Sequence, residues 1–308
     1  MTSTAPMPGR AERGKPGTDV EIVCADGYVL SARAFRPAPK VDRGLTAVIT
    51  TATGAKASFY WRYADYLASH GLRAVVADYR GVGRSAPEGS PRALRGMRTR
   101  WHEWGTLDID AVIGWAMTDG PGRRIVGVGH SFGGLGICLA PRAGAVERLI
   151  TVGAQHAHWR DYATRSPRTL LRWHIAMPAI AAAVGYLPGR RLGWLEDVPR
   201  GVAFDWARGR RNFADTIGRG GDLVMSRMAG LEFAMLAVAA TDDPFATPAA
   251  TDRLLGYLPR ARVERCELSP SELGVSEIGH LAVFHERFKN PLWARSAEWL
   301  LRDAAARQ

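Results

Sequence analysis

Lysine is almost missing from this chain of 308 residues. Only Lys15, Lys40, Lys56 and Lys289 occur, so the net charge of +11 rests on arginine. A basic surface attracts polyanions, but no zinc-finger, basic-zipper or RNP-type motif accompanies the arginines, and no nucleic-acid partner is expected. A basic mouth serving an anionic small molecule, such as a thioester on a phosphopantetheine carrier, fits the charge better. Cysteine is scarce as well. Cys24, Cys138 and Cys266 are odd in number and far apart, which argues against a disulfide framework and reads as buried thiols in a reducing, cytoplasmic setting. No Cys/His cluster or His-x-x-x-His pair has ligand spacing for zinc, so neither a metal nor another cofactor is expected. Long apolar runs are absent: the longest, Ala176 to Leu187, falls well short of the ~20 residues that span a bilayer. Residues 1–18, rich in Pro, Gly, Thr and Arg, lack the apolar core of a signal peptide and read as a flexible tail.

What remains is ordinary globular material, 46% apolar and 23% charged, enough for one large core carrying an insertion. The core is organised around Gly127-Val128-Gly129-His130-Ser131-Phe132-Gly133-Gly134. It spells G-x-S-x-G between an apolar, strand-like run, Arg124 to Val128, and a small-residue helix pattern. At such a strand-to-helix turn a serine is held in a strained bend with its hydroxyl thrust outward. Glycine is needed at 129 and 133, where any side chain would collide as strand and helix close. Ser131 is the candidate nucleophile.

The chain before the elbow reads as alternating elements. Val20 to Ala25 and Tyr28 to Phe35 form a hairpin across Asp26-Gly27, a pair that favours a type I′ turn. Leu45 to Thr51 is a strand buried on both faces, leading into Ala52-Thr53-Gly54-Ala55. Ser58 can cap the helix that follows, Gly71 can end it, and Leu72 to Asp78 is another strand. Gly81, Gly83 and Ala86 match a dinucleotide fingerprint, but Pro87 to Pro91 follow where that fingerprint requires a helix N-terminus, so no nucleotide site is expected. Trp101 to Met117 reads as a helix stopped by Gly120-Pro121-Gly122. After the elbow, Leu149 to Ala154 is a sixth strand, and then the alternation lapses from 156 to 231. This span exceeds any ordinary connection and reads as an inserted helical lid dividing the core into residues 19–155 and 232–308. Phe233 to Ala240 and Arg262 to Leu268 resume the sheet around a helix from Asp252 to Leu258. Asn290-Pro291 opens the last helix.

With these elements placed, the chain resembles the α/β-hydrolase family from Val20 to the final helix. The resemblance rests on Asp78-x-Arg80-Gly81-x-Gly83-x-Ser85, Gly129-x-Ser131-x-Gly133, Asp242-Asp243-Pro244 and Gly279-His280. Gly185 to Gly193, Glu196-Asp197-Val198-Pro199 and Trp206 resemble the lid of a bacterial branch of that family. The resemblance implies an α/β fold, a mostly parallel sheet with helices on both faces, and a serine hydrolase acting on an ester or thioester through an acyl-enzyme. An acyltransferase and a catalytically silent binding protein are the alternatives the same fold offers. The resemblance also makes Ser131 the nucleophile, His280 the general base and acid, and Asp243 the acid that orients the imidazole, with Asp242 as the alternative acid. It places the oxyanion-binding amides at Phe132 and Ala55. His130 and His285 are read as structural, and His156 and His158 as either pocket-lining or core. The partner implied is a small acyl substrate, and the oligomeric state stays open.

Overall fold

A computed structural model describes residues 17–162 and 167–302. The tail reading for residues 1–16 lies outside these, and Thr18 already opens a strand. That strand, β1 (Thr18–Val23), pairs antiparallel with β2 (Val29–Phe35). The expected hairpin is present, but its turn is not the two-residue type I′ form. Cys24 N–H donates to the carbonyl of Tyr28 at 2.8 Å, which leaves three residues in the loop and puts Gly27 at φ 83°. A glycine in the left-handed region is what a three-residue hairpin loop requires. Asp26 in this turn instead meets the Arg80 guanidinium, with Oδ2 2.6 Å from Nη1.

The core continues through β3 (Leu45–Thr50), α1 (Trp61–Ser69), β4 (Leu72–Ala77), α2 (Asp110–Asp119), β5 (Arg124–His130), α3 (Phe132–Leu139) and β6 (Val146–Val152). The insertion follows. Within it α4 (Pro167–Leu170) runs through a wide turn into α5 (Met177–Val184), and a two-stranded ribbon, β7 (Tyr186–Leu187) with β8 (Val198–Pro199), encloses the short α6 (Gly189–Leu192). Helices α7 (Arg200–Arg208), α8 (Phe213–Ile217) and α9 (Gly221–Ala229) complete it. The chain then returns to the sheet with β9 (Ala234–Ala240), α10 (Pro248–Leu255), β10 (Arg262–Leu268) and α11 (Ala294–Leu301).

The eight-stranded sheet has the order β1-β2-β4-β3-β5-β6-β9-β10, antiparallel from β1 to β4 and parallel beyond. Alternating side chains along each strand point to opposite faces, and the two faces make two apolar layers. Val48, Val75 and Leu149 pack with Val112 of α2 and Leu135 of α3. Ala47, Ile49, Val76 and Ile150 pack with Leu67 of α1 and Leu300 of α11.

Four helix starts differ from expectation. Ser58 lies within a 3₁₀ turn, Ala57–Tyr60, and makes no side-chain cap for α1. The helix expected from Trp101 begins as a wide, π-type stretch, Trp104–Ile109, before α2. Within that stretch Asp108 is fully buried and bound by the backbone amide and Nε of Arg80 at 2.8 and 2.6 Å. α10 starts at Pro248 with the Thr247 hydroxyl accepting from the Ala250 amide, ahead of the predicted start at Asp252. At the last helix Asn290 sits inside the first turn rather than capping it. Cys24 and Cys138 are buried thiols, whereas Cys266 on the edge strand β10 is half-buried. No helix among the described residues is long and apolar enough to cross a membrane.

Candidate active site

Parallel strands leave their carboxyl ends on one edge of the sheet, so the loops after β3, β5, β9 and β10 gather there. Ser131 follows β5 with φ 53° and ψ −121°, the only non-glycine residue with positive φ among the described residues. That backbone is costly for a residue with a Cβ and is held by packing on both sides. A side chain at Gly133 would sit 2.5 Å from the Thr50 carbonyl oxygen, and one at Gly129 would run into Cα of Gly134. A third glycine, Gly134, has the same constraint against Ala154, with 2.5 Å to its Cβ.

The elbow brings Ser131 Oγ to 2.9 Å from His280 Nε2, and His280 Nδ1 lies 2.7 Å from Asp243 Oδ2. Asp243 is buried, and its Oδ1 accepts the amides of Phe245 and Ala246 at 2.8 and 3.1 Å. Burial pushes its carboxyl up, but the imidazole and the two amides outweigh this and hold it below the usual carboxylate range. The adjacent Asp242 faces the other way, accepting the amides of Ile278 and Gly279 at 2.9 and 3.0 Å. It fastens the loop that carries His280 and does not meet the ring.

The Phe132 amide opens α3, where a helix has no internal acceptor for it. Ala55 differs from expectation. Its amide donates to the Ala52 carbonyl at 3.1 Å and closes the turn after β3, so it is not a free donor. The Thr53 amide, in the same loop, makes no bond to another described residue. Residue identity carries no signal for a backbone donor, and only the folded turn separates the two positions. Thr53 is further held by its side chain, whose Oγ1 accepts from Trp101 Nε1 at 3.1 Å.

His130, read from the sequence as structural, is fully buried. Its ring is buried away from the Ser131 hydroxyl, between Tyr60 and the backbone of His280. Nδ1 is 2.6 Å from the Tyr60 hydroxyl and Nε2 is 2.8 Å from the His280 carbonyl. The carbonyl only accepts, which assigns the proton to Nε2 and makes Nδ1 the acceptor from Tyr60. The Tyr60 oxygen in turn accepts the Ala52 amide at 2.9 Å. Burial, with the neighbouring His280 adding to it, pushes the His130 pKa down to about 3, so the ring is neutral near pH 7. A buried relay therefore ties the loop after β3 to the loop that carries His280. His156 and His158 are buried core residues bonded to the carbonyls of Arg210 and Gly209, and neither lines the cavity. His285 is exposed and packs edge-on against Phe59.

Ser131 and His280 open into a cavity of about 520 Å³ between the sheet edge and the insertion. Its wall is dominated by Trp101, Trp173, Trp194, Trp206, Phe59 and Phe245. Apart from His280, its ionisable side chains are Lys56 and Glu196, paired at 3.0 Å. No arginine lines it among the described residues. The insertion is joined to the loop after β3 by the Glu196 amide, 2.9 Å from the Gly54 carbonyl, and to the segment before Trp101 by a two-pronged Arg100–Asp205 pair at 2.7 and 2.6 Å.

A family model described as serine aminopeptidase, S33, matches residues 46–269, the stretch that holds the elbow, the insertion and the acid loop. The chain belongs to the S33 family. This S33 protein has the α/β-hydrolase fold and is an α/β-hydrolase-type serine hydrolase. Among solved structures it is similar to a soluble variant of monoglyceride lipase from Saccharomyces cerevisiae, with TM-score 0.65, 15% identity, and 96% of this chain covering 98% of that one. An esterase from Pyrococcus furiosus gives TM-score 0.59 and 13% identity over 97% of this chain and 95% of that one. The esterase domain of a Rhodothermus marinus protein gives 0.55 and 15% over 92% and 98%. At these identities the likeness is one of fold. No curated protein sequence matches the S33 chain.

Proposed function

We propose that this S33 hydrolase cleaves a carboxylic ester or thioester through an acyl-enzyme on Ser131. The observation that carries the reading is the unbroken line from Ser131 Oγ to His280 to Asp243, at 2.9 and 2.7 Å, on the floor of an apolar chamber. A neutral serine hydroxyl is a poor nucleophile. His280 Nε2 takes its proton as Oγ attacks the carbonyl carbon, and Asp243 keeps the imidazole in the tautomer with Nδ1 protonated. The carbonyl oxygen gains negative charge and is met by the amides of Phe132 and Thr53, each such donor contributing about 3 kcal/mol to the transition state. The imidazolium then protonates the leaving alcohol or thiol, and water, activated by the same ring, releases the acid. The insertion over residues 156–231 acts as the lid of the chamber.

An ester fits the chamber better than the N-terminus of a peptide. A substrate ammonium group needs a carboxylate, and the only one on the wall among the described residues, Glu196, is engaged by Lys56. The test is a mass spectrum of the intact protein after a fluorophosphonate probe, alongside turnover of a panel of acyl esters. One adduct on the wild-type protein, with neither adduct nor turnover in a folded Ser131→Ala variant, is the expected result. Wild-type rates in the alanine variant overturn it.

A further inference from the structure

Trp101, Trp173, Trp206 and Phe245 on the chamber wall belong to one connected series of rings that begins behind the wall at Phe132. Phe132, the residue after Ser131, stacks on Trp101 with centroids 4.8 Å apart and planes 26° apart. Trp101 faces Trp206 at 6.4 Å and 29°, and Trp206 meets Trp173 at 4.9 Å and 35°. Trp173 meets Phe245 edge-on at 6.4 Å, and Phe245 meets the His280 imidazole at 5.2 Å. The series thus starts beside the serine and ends on the ring bonded to it. Its members are held in place: Trp101 by its bond to Thr53, and Trp173 by the Arg172 guanidinium, 4.9 Å from its centroid. Leu195 and Leu281 are the only branched aliphatic side chains on the wall among the described residues.

We propose that the chamber selects a flat aromatic acyl group, an arylalkanoyl ester over a straight-chain or saturated-ring one, and that Trp101, Trp173 and Trp206 make the choice. The inference rests on the reading of Ser131 as the acylated nucleophile. Burial rewards any apolar acyl group in proportion to its area, so burial alone does not separate an aryl from an alkyl group of the same size. Ring faces and edges do, because offset-stacked and edge-to-face pairs gain stabilisation beyond the area they bury. A flexible chain also loses rotamer freedom that a ring does not possess.

The test compares ethyl esters of three acids of equal carbon count and similar reactivity: 3-phenylpropanoic, 3-cyclohexylpropanoic and nonanoic acid. The phenyl ester is expected to lead the cyclohexyl ester by about tenfold in kcat/KM, the effect of one or two ring contacts. Trp206→Leu should bring that ratio close to one, whereas Trp206→Phe, which keeps a ring, should retain most of it. Trp173→Leu repeats the test from the neighbouring ring should Trp206→Leu fail to fold. A wild-type ratio of one or below, or an unchanged ratio in the folded leucine variants, overturns the proposal. Turnover of none of the three esters together with no fluorophosphonate adduct on Ser131 overturns the reading of Ser131 as the acylated nucleophile, and is a different result from turnover without aryl preference.

Discussion

Replacing Tyr60 by phenylalanine removes one oxygen and breaks the relay at its centre. That oxygen is fully buried, accepts the Ala52 amide at 2.9 Å and lies 2.6 Å from His130 Nδ1. The ring itself stays, packed edge-on against Phe59 and Phe284, so no cavity opens. Two buried polar groups lose their partner in the same step, and each such loss costs about 1–3 kcal/mol, giving roughly 2–6 kcal/mol in total. The loss also reaches the chemistry: Ala52 anchors the loop whose Thr53 amide is read as an oxyanion donor, and His130 braces the backbone of His280. Tyr60→Phe should therefore lower both the unfolding free energy in urea and kcat, with a smaller effect on KM. Tyr63→Phe is the control. Its hydroxyl is also buried but reaches only Ser296 Oγ at 2.8 Å, remote from the site. Wild-type stability and kcat in Tyr60→Phe would refute the relay. Equal loss of kcat in both variants would reduce it to general destabilisation.

Asp243→Asn is expected to lower kcat by about 10⁴-fold, the loss found when a triad aspartate is replaced in a serine protease. Asp242→Asn should be much milder, because it weakens two bonds to the Ile278 and Gly279 amides without touching the ring; steady-state rates of two folded variants decide the ranking. Acid should destabilise the protein. Burial lowers the pKa of His130 to about 3 and of His156 to about 4, from 6.5 in the unfolded chain, so below that value the unfolded state binds protons the folded state refuses. Stability is complete above this range and falls by up to about 1.4 kcal/mol per pH unit for each histidine, which urea midpoints measured at about pH 7.5 and about pH 5 will read. Gly54→Ala should disturb the site from the loop side. The added methyl at φ 71° would lie 2.5 Å from Leu195 Cδ1, so the segment carrying Leu195 and the loop must separate, and kcat/KM should fall more than stability does. A variant with unchanged kcat/KM would show that the contact gives way freely.

The sequence by itself determined the elements with strong local signatures. Continuous β-branched runs marked the buried strands, and glycines at 129 and 133 with Ser131 between them marked the elbow, because the steric demand of that turn is written in neighbouring residues. The lapse of alternation after β6 marked the insertion for a similar reason: periodicity is a local property. Turn details were less legible. Asp26-Gly27 announced a hairpin, but the loop took three residues because Cys24 pairs with Tyr28 and Asp26 is drawn to Arg80, a partner 54 residues away. The Ala55 amide is taken up by the Ala52 carbonyl and the Thr53 amide is not, because which amide a turn consumes depends on how the loop closes, and every residue has the same amide. The relay from Ala52 through Tyr60 and His130 to His280 joins four segments, and the aromatic wall draws Trp101 from before α2, Trp173 and Trp206 from the insertion and Phe245 from after β9. Such contacts exist only once the parallel sheet has brought the carboxyl ends of its strands to one edge. Nothing in the spacing of these residues along the chain encodes their distance in space.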